Sequence, residues 1–366
     1  MTHTSLFNRD WQIIVERLGG AKALEASARE TKAFLRPRVI GSAEELLRLI
    51  LAYCLGERGL RLTCAWATAS GLADISNVAL LYRLRQCGDW LSLLIGRVLS
   101  TYAPEAGKGR LIRLIDATNV PQAGAAAKKK NRVWRVHSAF DLPAERFGHF
   151  ELTDHRESER LDRIPAIKGE IRIADRVYLQ PDHMASVLDA GADIVVRAGW
   201  KSARWLDAEA EALDLPELLR KNAQAGRIDR PIGLARKGHT PLDLRLVAIR
   251  KPPETAEAAK AKARRAAQRG GHQISKDTLT AAEWMLLITS LDAETFSTDD
   301  VLALYRLRWR IELGFKRLKS VIGLKGPPGE DERSARPWVL AHLLMILLLE
   351  PLVDAFEDSP RWAESA

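Results

Sequence analysis

The stretch Leu111-Ile112-Arg113-Leu114-Ile115-Asp116 decides the fold class of this chain. It is a short apolar run with branched side chains that ends at an acidic residue, which is typical of a buried β-strand. Four later runs have a similar character, at 135–142, 147–152, 171–174 and 193–197. Helices are predicted at 157–161 and 181–190. Several strands followed by alternating helix and strand predict a mixed α/β sheet.

Residues 1–105 have a different pattern, in which apolar side chains recur at helical spacing. Ser42-Ala43-Glu44-Glu45 predicts a capping box that opens a helix, and a second periodic stretch covers 76–98. Gly71-Leu72-Ala73-Asp74 predicts a turn between them. Two helices joined by a short turn allow a helix-turn-helix DNA reader, and an ordinary helical bundle fits the same pattern.

Residues 200–282 interrupt the strand pattern with loops, a strand at 242–250 and a basic helix at 253–268. A strand at 285–290 then restores it, so we interpret 200–282 as an insertion. The chain therefore divides into an all-helical N-terminal domain, an α/β domain in two pieces, the insertion subdomain and a tail. Their predicted bounds are 1–105, then 106–199 with 283–352, then 200–282, and 353–366.

The composition favours a globular protein with a polyanionic partner. Of 366 residues 46% are hydrophobic, which argues against disorder, and the net charge of +9 suits a nucleic acid. The three cysteines have no metal-site spacing, which fits a reducing cytosol. We expect no signal peptide, and the longest apolar run, 339–349, is too short to cross a bilayer. A cytoplasmic protein is predicted.

A second informative segment begins at Tyr305, within a single predicted helix over 299–320 that Ser297 or Thr298 can cap. At about 100° per residue, one face collects the polar side chains Tyr305, Arg308, Glu312, Lys316 and Lys319. An apolar stripe beside this face would dock on the core. Taken alone, the face is better explained as a solvated surface with ion pairs such as Arg308–Glu312.

Two aspartates change that interpretation. Asp116 and Asp175 each follow an apolar strand, where ligands gather in open α/β sheets. With Glu312 they would form an all-oxygen site, which suits hard ions such as Mg²⁺ or Mn²⁺. Paired ions of this kind can promote an in-line phosphoryl displacement. Each aspartate by itself could instead be a turn cap at the end of a strand.

These residues resemble the bacterial insertion-sequence transposases of the DDE type, in particular the insertion-sequence-four family. The family's Y-(2)-R-(3)-E-(6)-K signature is matched at every spacing by Tyr305, Arg308, Glu312 and Lys319. Asp116-Ala117-Thr118 is similar to its D-x-T strand, and residues 174–178 are similar to its A-D-R-x-Y strand. The resemblance covers 110–350. It departs at Val177, where the family often has glycine, and in the short tail after Lys319, so we expect no large C-terminal dimerisation domain.

The resemblance implies a ribonuclease-H-like fold with a β-containing insertion. It implies cleavage of transposon ends and strand transfer into target DNA, with two Mg²⁺ ions (Mn²⁺ as an alternative) held by Asp116, Asp175 and Glu312. The partners would be double-stranded DNA and a second copy of the chain, in a bacterial cytoplasm and on the nucleoid when bound to DNA. The side chains expected to contact DNA are Tyr305, Arg308, Lys316, Lys319, Arg176, Trp284, Lys128, Lys129 and Lys130.

Several alternatives stay open at this point. A nuclease that cuts without joining, or an inactive inhibitor that occupies transposon ends, would use the same fold, although an inhibitor need not keep three carboxylates. Some family members form a hairpin and flip a base onto a tryptophan before the last strand, where Trp284 stands; simple packing explains Trp284 equally well. The basic run at 128–132 could track a DNA backbone or be a solvated loop. His149, His155 and Glu157 suit surface hydrogen bonds better than metal.

Overall fold

The computed structural model describes residues 4–56, 58–101, 109–121, 133–142, 146–154, 156–308, 311–312, 315, 326–328 and 331–357. Within them, helices precede and flank a large mixed sheet. The N-terminal helices are α1 (Thr4–Arg17), α2 (Gly20–Glu30), α3 (Ala43–Leu55), α4 (Leu60–Ala69), α5 (Asn77–Gln86) and α6 (Gly88–Thr101). A mixed α/β architecture that follows a helical N-terminal region is therefore confirmed.

The start of α3 confirms the predicted cap at Ser42. The Ser42 hydroxyl accepts from the backbone N–H of Glu45 at 3.1 Å, while the Glu45 carboxylate reaches back to the N–H of Gly41 at 2.6 Å. The predicted turn is also present, and Gly71 adopts a left-handed φ of 69° that favours glycine. This turn joins α4 to α5, and helix α4 itself was not predicted. The stretch predicted as one helix over 76–98 is two helices, since α5 ends at Gln86 and α6 begins at Gly88 after the C-cap residue Cys87.

The sheet has nine described strands in the order β3-β2-β1-β4-β5-β9-β8-β7-β6. Their bounds are β1 (Ile112–Pro121), β2 (Val133–Leu142), β3 (Arg146–Thr153), β4 (Ile171–Ala174), β5 (Asp193–Ala198), β6 (Trp205–Leu206), β7 (Arg227–Arg236), β8 (His239–Arg250) and β9 (Trp284–Thr289). Strands β1, β2 and β3 are antiparallel, and β4 and β5 run parallel to β1. Strand β9 joins β5 to β8, so the strands of the predicted insertion continue the same sheet.

Helices cover both faces of the sheet. The helices that follow the N-terminal region are α7 (Pro181–Asp189), α8 (Leu215–Lys221), α9 (Pro253–Arg269), α10 (Lys276–Ala282), α11 (Thr298–Arg306) and α12 (Glu332–Glu357). Neighbouring residues of β1 serve opposite faces: Leu114 packs in a cluster with the N-terminal helices and α12, and Ile115 packs with α7 and the far strands. Helix α12 contains the apolar run 339–349 and continues past Pro351. In the described part of the chain, no helix combines the length and apolar character needed to span a membrane.

The predicted helix at 157–161 is wrong, because the segment is an irregular loop. The cause is Arg172 of β4, whose side chain is fully buried. Its guanidinium donates to the carbonyls of Leu161, Ile164 and Pro165 at 2.6–2.7 Å. The side chain of a later strand therefore satisfies the backbone carbonyls at the end of this segment and just after it. The tail predicted at 353–366 falls partly in α12, and its residues 358–366 lie outside the described chain.

Candidate active site

Asp116 and Asp175 lie next to each other across two parallel strands. The last pair in the β1–β4 register is Ile115 opposite Ala174, so the residue that follows in each strand segment is one of the two aspartates. Asp175 leaves the end of β4 as predicted. Asp116 does not end its strand, because β1 continues to Pro121 through its pairing with β2. The short length of β4 opens the sheet beside Asp116.

Asp175 stands at the N-cap position of a short 3₁₀ helix (Arg176–Tyr178), but its side chain makes no capping hydrogen bond. The capping alternative therefore does not account for this carboxylate. About two fifths of the side chain is exposed, and the Arg197 guanidinium of β5 lies 3.9 Å from its Oδ1. The carboxylate is accessible at the point where the two parallel strands diverge.

The carboxylate of Asp116 is largely buried and has two other carboxylates near it. Burial raises the pKa of Asp116 to about 6, and the negative charges of Glu159 and Asp175 push it in the same direction. The N–H of Ala117, which donates to Asp116 Oδ1 at 2.9 Å, and the charge of Arg308 act against this rise. A cation beside these carboxylates would relieve the unfavourable charge.

Helix α11 brings Tyr305 to the aspartates. The helix starts at a capping box in which Ser297 and Asp300 bond reciprocally, confirming the expectation that Ser297 caps it. Tyr305 is almost fully buried, and burial raises the pKa of its phenol. The phenol therefore stays protonated and donates to Asp175 Oδ1 across a long 3.4 Å. This contact joins the predicted signature to the second aspartate.

The single helix predicted over 299–320 is interrupted. Helix α11 ends at Arg306, and the N–H groups of Leu307 and Arg308 bond to carbonyls three residues back, which tightens the final turn. Helical conformation is described again at Ile311, Glu312 and Phe315. The predicted docking stripe is present at these positions. Ile311 and Phe315 are buried, and the Phe315 ring centroid lies 5.5 Å from that of Phe147 on β3.

Glu312 is held by Arg308, at a distance of 2.7 Å between Arg308 Nη2 and Glu312 Oε1. This is the i,i+4 ion pair that the sequence allowed, and 56% of the Glu312 side chain is exposed. Arg308 also interacts electrostatically with Asp116 and Asp175. Nowhere in the described chain do three His, Cys, Asp or Glu side chains come close enough together to hold a metal ion. In this conformation the three carboxylates do not surround a common metal position, and Arg308 is the residue that interacts with all three.

Glu159 is a fourth carboxylate at this site, and the sequence did not reveal it. Its side chain is 20% exposed and lies 3.4 Å from the guanidinium of Arg135. Burial raises the pKa of Glu159, and the charge of Asp175 adds to the rise. Nearby Tyr178 is buried and its hydroxyl has no hydrogen-bond partner among the described residues. Loop residues give no periodic signal, so only the three-dimensional structure relates Glu159 to the aspartates.

The other residues that the sequence predicted for the site lie in different parts of the structure. Trp284, the first residue of β9, is 3% exposed and packs in the cluster of the far strands, so the packing alternative describes it. Arg176 is exposed beside Asp175. Glu157 forms a surface ion pair with Arg163 at 2.6 Å. Outside the described residues lie Lys316, Lys319, His155 and the cations Lys128, Lys129 and Lys130.

The chain is similar to known proteins over nearly its whole length. A family model described as "Transposase DDE domain" matches residues 107–348. The chain is 37% identical over 359 residues to the InsL protein of insertion sequence element IS186A of Escherichia coli K12, covering 96% of each. It is also 37% identical over 360 residues to the transposase for insertion sequence element IS421 of Escherichia coli, again covering 96% of each. A solved piggyBac transposase synaptic complex with hairpin DNA has a TM-score of 0.49 and 11% identity, covering 95% of this chain and 76% of that chain.

Proposed function

This chain belongs to the bacterial insertion-sequence transposases of the DDE type, and we propose that it cuts DNA at transposon ends and joins those ends to target DNA. The proposal rests on the adjacent carboxylates of Asp116 and Asp175, with Glu312 linked to them through Arg308. These three residues are the proposed catalytic set. The proposed partners are double-stranded DNA and a second copy of the chain.

A divalent cation fits this set of residues by its chemistry. Carboxylate oxygens are the ligands that Mg²⁺ and Mn²⁺ prefer. Burial, with a smaller contribution from the charges of Glu159 and Asp175, raises the pKa of Asp116, and a bound cation would favour its charged form. We propose that Asp116, Asp175 and Glu312 hold two ions, Mg²⁺ or Mn²⁺. When bound, they would promote attack by water or a 3′-hydroxyl and neutralise the leaving oxygen.

Arg308 is proposed to exchange its partner when DNA binds. In the free protein the side chain of Arg308 is 21% exposed, and its guanidinium pairs with Glu312. A phosphate bound by Arg308 would replace that carboxylate, because the planar guanidinium of arginine can donate paired hydrogen bonds to two phosphate oxygens. Glu312 would then be free to turn toward the aspartates. Binding of DNA would thereby complete the catalytic set.

The phenol of Tyr305 is proposed to orient Asp175. Its long hydrogen bond to Oδ1 leaves Oδ2 unoccupied by this contact, and apo hydrogen bonds at catalytic sites often shorten when the complex forms. Arg176, Lys316 and Lys319 are proposed to contact DNA phosphates near the cut, and Lys128, Lys129 and Lys130 to follow the backbone. The burial of Trp284 gives no support to a hairpin step that stacks a base on it.

The order and direction of strands β3-β2-β1-β4-β5 support a ribonuclease-H-like catalytic domain. We propose that this domain comprises 106–199 and 283–352, with 200–282 as an insertion that extends the sheet. Residues 1–105 would form a separate helical domain. Limited proteolysis at the connections tests these bounds.

A cleavage assay with Mg²⁺ on DNA containing the element's ends tests the proposed function. We expect Glu312→Gln to bind this DNA as the wild type does but neither to nick nor to join it. Glu294→Gln is a matched control, because Glu294 is an exposed carboxylate in the loop before α11 and is not one of the proposed catalytic residues. Equal cutting by Glu312→Gln would contradict the catalytic assignment. Cutting by the wild type without joining would favour a nuclease.

A further inference from the structure

Arg245 is a buried arginine in the middle of β8, within the segment predicted as an insertion. It lies opposite Pro231 of β7 and Thr289 of β9, and only 8% of the residue is exposed. Strand β9 leads through a short loop into α11, the helix that carries Tyr305 to the aspartates. The position of Arg245 therefore places a cation between the insertion and this helix.

The guanidinium of Arg245 binds the loop between β9 and α11 at three backbone carbonyls. It donates to the carbonyl of Phe296 at 2.6 Å. Longer bonds of 3.4 and 3.3 Å reach the carbonyls of Leu291 and Asp292. Phe296 directly precedes Ser297, the N-cap residue of α11. The shortest of the three bonds is therefore made where the helix begins.

The other edge of the guanidinium forms a paired contact with Asp229 of β7. Arg245 Nε and Nη2 donate to the two carboxylate oxygens of Asp229 at 2.6 and 2.5 Å. These bonds lower the pKa of Asp229, so its carboxylate is charged at neutral pH. The hydroxyl of Thr298, the first residue of α11, donates to the same carboxylate. Asp229 therefore binds both the arginine and the helix.

A second ion pair joins the same two elements at the surface. Arg227 of β7 pairs with Asp299, the second residue of α11, and both side chains are exposed. Exposed ion pairs contribute little to a fixed geometry, because solvent screens them and their side chains are mobile. The buried contacts of Arg245 and Asp229 therefore account better for the position of the helix start.

The start of α11 determines where Tyr305 lies. Tyr305 follows Thr298 by seven residues, which is about 10 Å at 1.5 Å per residue. The phenol reaches Asp175 across a long 3.4 Å, so a small shift of the helix would break this contact or shorten it. Arg308 follows in the tight turn at the end of the helix and would move with it.

We infer that Arg245, held by Asp229, is a positioning residue that fixes the start of α11 and thereby places Tyr305 and Arg308 at the aspartates. The insertion acts on catalysis through this contact without touching the reacting atoms. The contact uses the planar fork of arginine, which directs donors at carbonyls and at a carboxylate together and which lysine lacks. The inference rests on the proposed function, because it assigns Arg245 to the same site.

Single-turnover nicking of DNA that contains the element's ends, measured beside the affinity for that DNA, tests the inference. Arg245→Met should slow first-strand nicking by about tenfold to a hundredfold, since misplacement of a reacting group by about 1 Å has effects of this size. Its affinity for the DNA should equal that of the wild type. A wild-type nicking rate, or a loss of rate that follows wholly from weaker DNA binding, would overturn the inference.

Arg250→Met is a matched control on the same strand. Arg250 also forms a paired contact with a carboxylate, since its Nε and Nη2 donate to Glu283 at 3.1 and 2.8 Å, and it donates to the carbonyl of Ala223 at 2.9 Å. These partners lie outside α11 and the loop before it. Arg250→Met should therefore nick at the wild-type rate. Equal losses in both variants would indicate a general effect of weakening β8 and would overturn the inference.

A double variant separates positioning from a general loss of stability. If Arg245 acts through Tyr305, the loss of nicking rate in Arg245→Met with Tyr305→Phe should be smaller than the product of the two single losses. Losses that multiply would show that the two residues act independently and would overturn the inference. Thr298→Val is a milder variant, because it keeps Arg245 and removes only the hydroxyl that binds Asp229. It should slow nicking in the same direction.

Hydrogen exchange followed by mass spectrometry gives a readout that needs no activity. Backbone amides of 291–306 should exchange faster in Arg245→Met and Thr298→Val than in the wild type, and at the wild-type rate in Arg250→Met. Unchanged exchange over 291–306 in Arg245→Met would contradict a role in fixing the helix start. Glu312→Gln keeps every contact of Arg245, so it should show wild-type exchange while it loses nicking.

The proposed function can fail separately. If Glu312→Gln loses nicking and Arg245→Met nicks like the wild type, the inference is wrong and the proposed function stands. If Arg245→Met nicks slowly while Glu312→Gln nicks like the wild type, the proposed catalytic set is wrong and Arg245 still positions α11 for the reaction.

Discussion

Replacing Asp116 by asparagine is expected to stabilise the folded protein at neutral and alkaline pH, although it removes a proposed metal ligand. Burial raises the pKa of Asp116 from 3.8 to about 6, so the fold disfavours the charged carboxylate. Asparagine has the same shape without the charge. Its Oδ1 can still accept the hydrogen bond from the Ala117 N–H, now 2.9 Å long. The change removes the free-energy cost of a buried charge and keeps the hydrogen bond from Ala117.

The free energy follows from the two pKa values. Below about pH 3.8 the carboxyl is protonated in both the folded and the unfolded chain and does not lower the free energy of unfolding. As the pH rises from there through about 6, the free energy of unfolding falls by up to about 3 kcal/mol. The asparagine variant avoids this loss. At roughly 2.1 cal/mol/K per residue over 366 residues, a gain of about 3 kcal/mol raises the unfolding midpoint by about 4 °C if the chain unfolds as one unit.

Thermal unfolding without divalent ions measures the effect. The gain of Asp116→Asn should approach about 4 °C near pH 8 and fall to about half near pH 5, where Asp116 is largely protonated in the folded state. Asp300→Asn is the opposite control, because hydrogen bonds from Ser297 lower the pKa of Asp300 and its replacement should lower the midpoint. Destabilisation by Asp116→Asn near pH 8, or an equal gain at both pH values, would refute the reasoning.

Three further changes test other parts of the structure. Glu159→Gln removes a negative charge that raises the pKa of Asp116, so the acidic limb of the cleavage–pH profile should move to lower pH. An acidic limb at the wild-type pH would show that Glu159 does not act on the proposed catalytic site. Arg172→Met removes the guanidinium that donates to three carbonyls and to Glu170, so urea unfolding should show that the free energy of unfolding falls by about 3–5 kcal/mol. A fall below about 1 kcal/mol would contradict the loop's dependence on Arg172. Trp284→Ala should cost about 3–5 kcal/mol through lost packing and reduce first-strand and second-strand cutting equally. Selective loss of second-strand cutting would instead indicate base stacking.

Local patterns predicted most of the central sheet. Strands β1 to β5 and β9 were recognisable because each is a short apolar or alternating run between turn residues. Strand β7 was missed because Pro231 and alternating charges such as Asp229 and Arg230 argue against a strand. Its neighbour β8 neutralises one of those charges, as Arg245 pairs with Asp229 at 2.5 Å. Pairing across strands overrides the local signal.

The candidate site was predictable in its residue types but not in its geometry. The position of Asp116 inside β1 depends on β2 being longer than β4, which no local pattern encodes. The position of Glu159 depends on Arg172, which fixes the loop from a later strand. The break after Arg306 depends on tight hydrogen bonds at Leu307 and Arg308. Each of these features arises from contacts between distant parts of the chain or from geometry that residue spacing alone does not determine.

Exchange of one carboxylate for a thiol tests the central claim, that Asp116, Asp175 and Glu312 hold catalytic divalent ions, most directly. Asp175 suits this exchange because its side chain is substantially exposed and caps no helix. Sulfur is a poor ligand for Mg²⁺ and a better one for softer ions such as Mn²⁺. We therefore predict that Asp175→Cys fails to cut end-containing DNA with Mg²⁺ but regains cutting with Mn²⁺, while the wild type cuts with both. Cutting by Asp175→Cys with Mg²⁺ at the wild-type rate would contradict the claim.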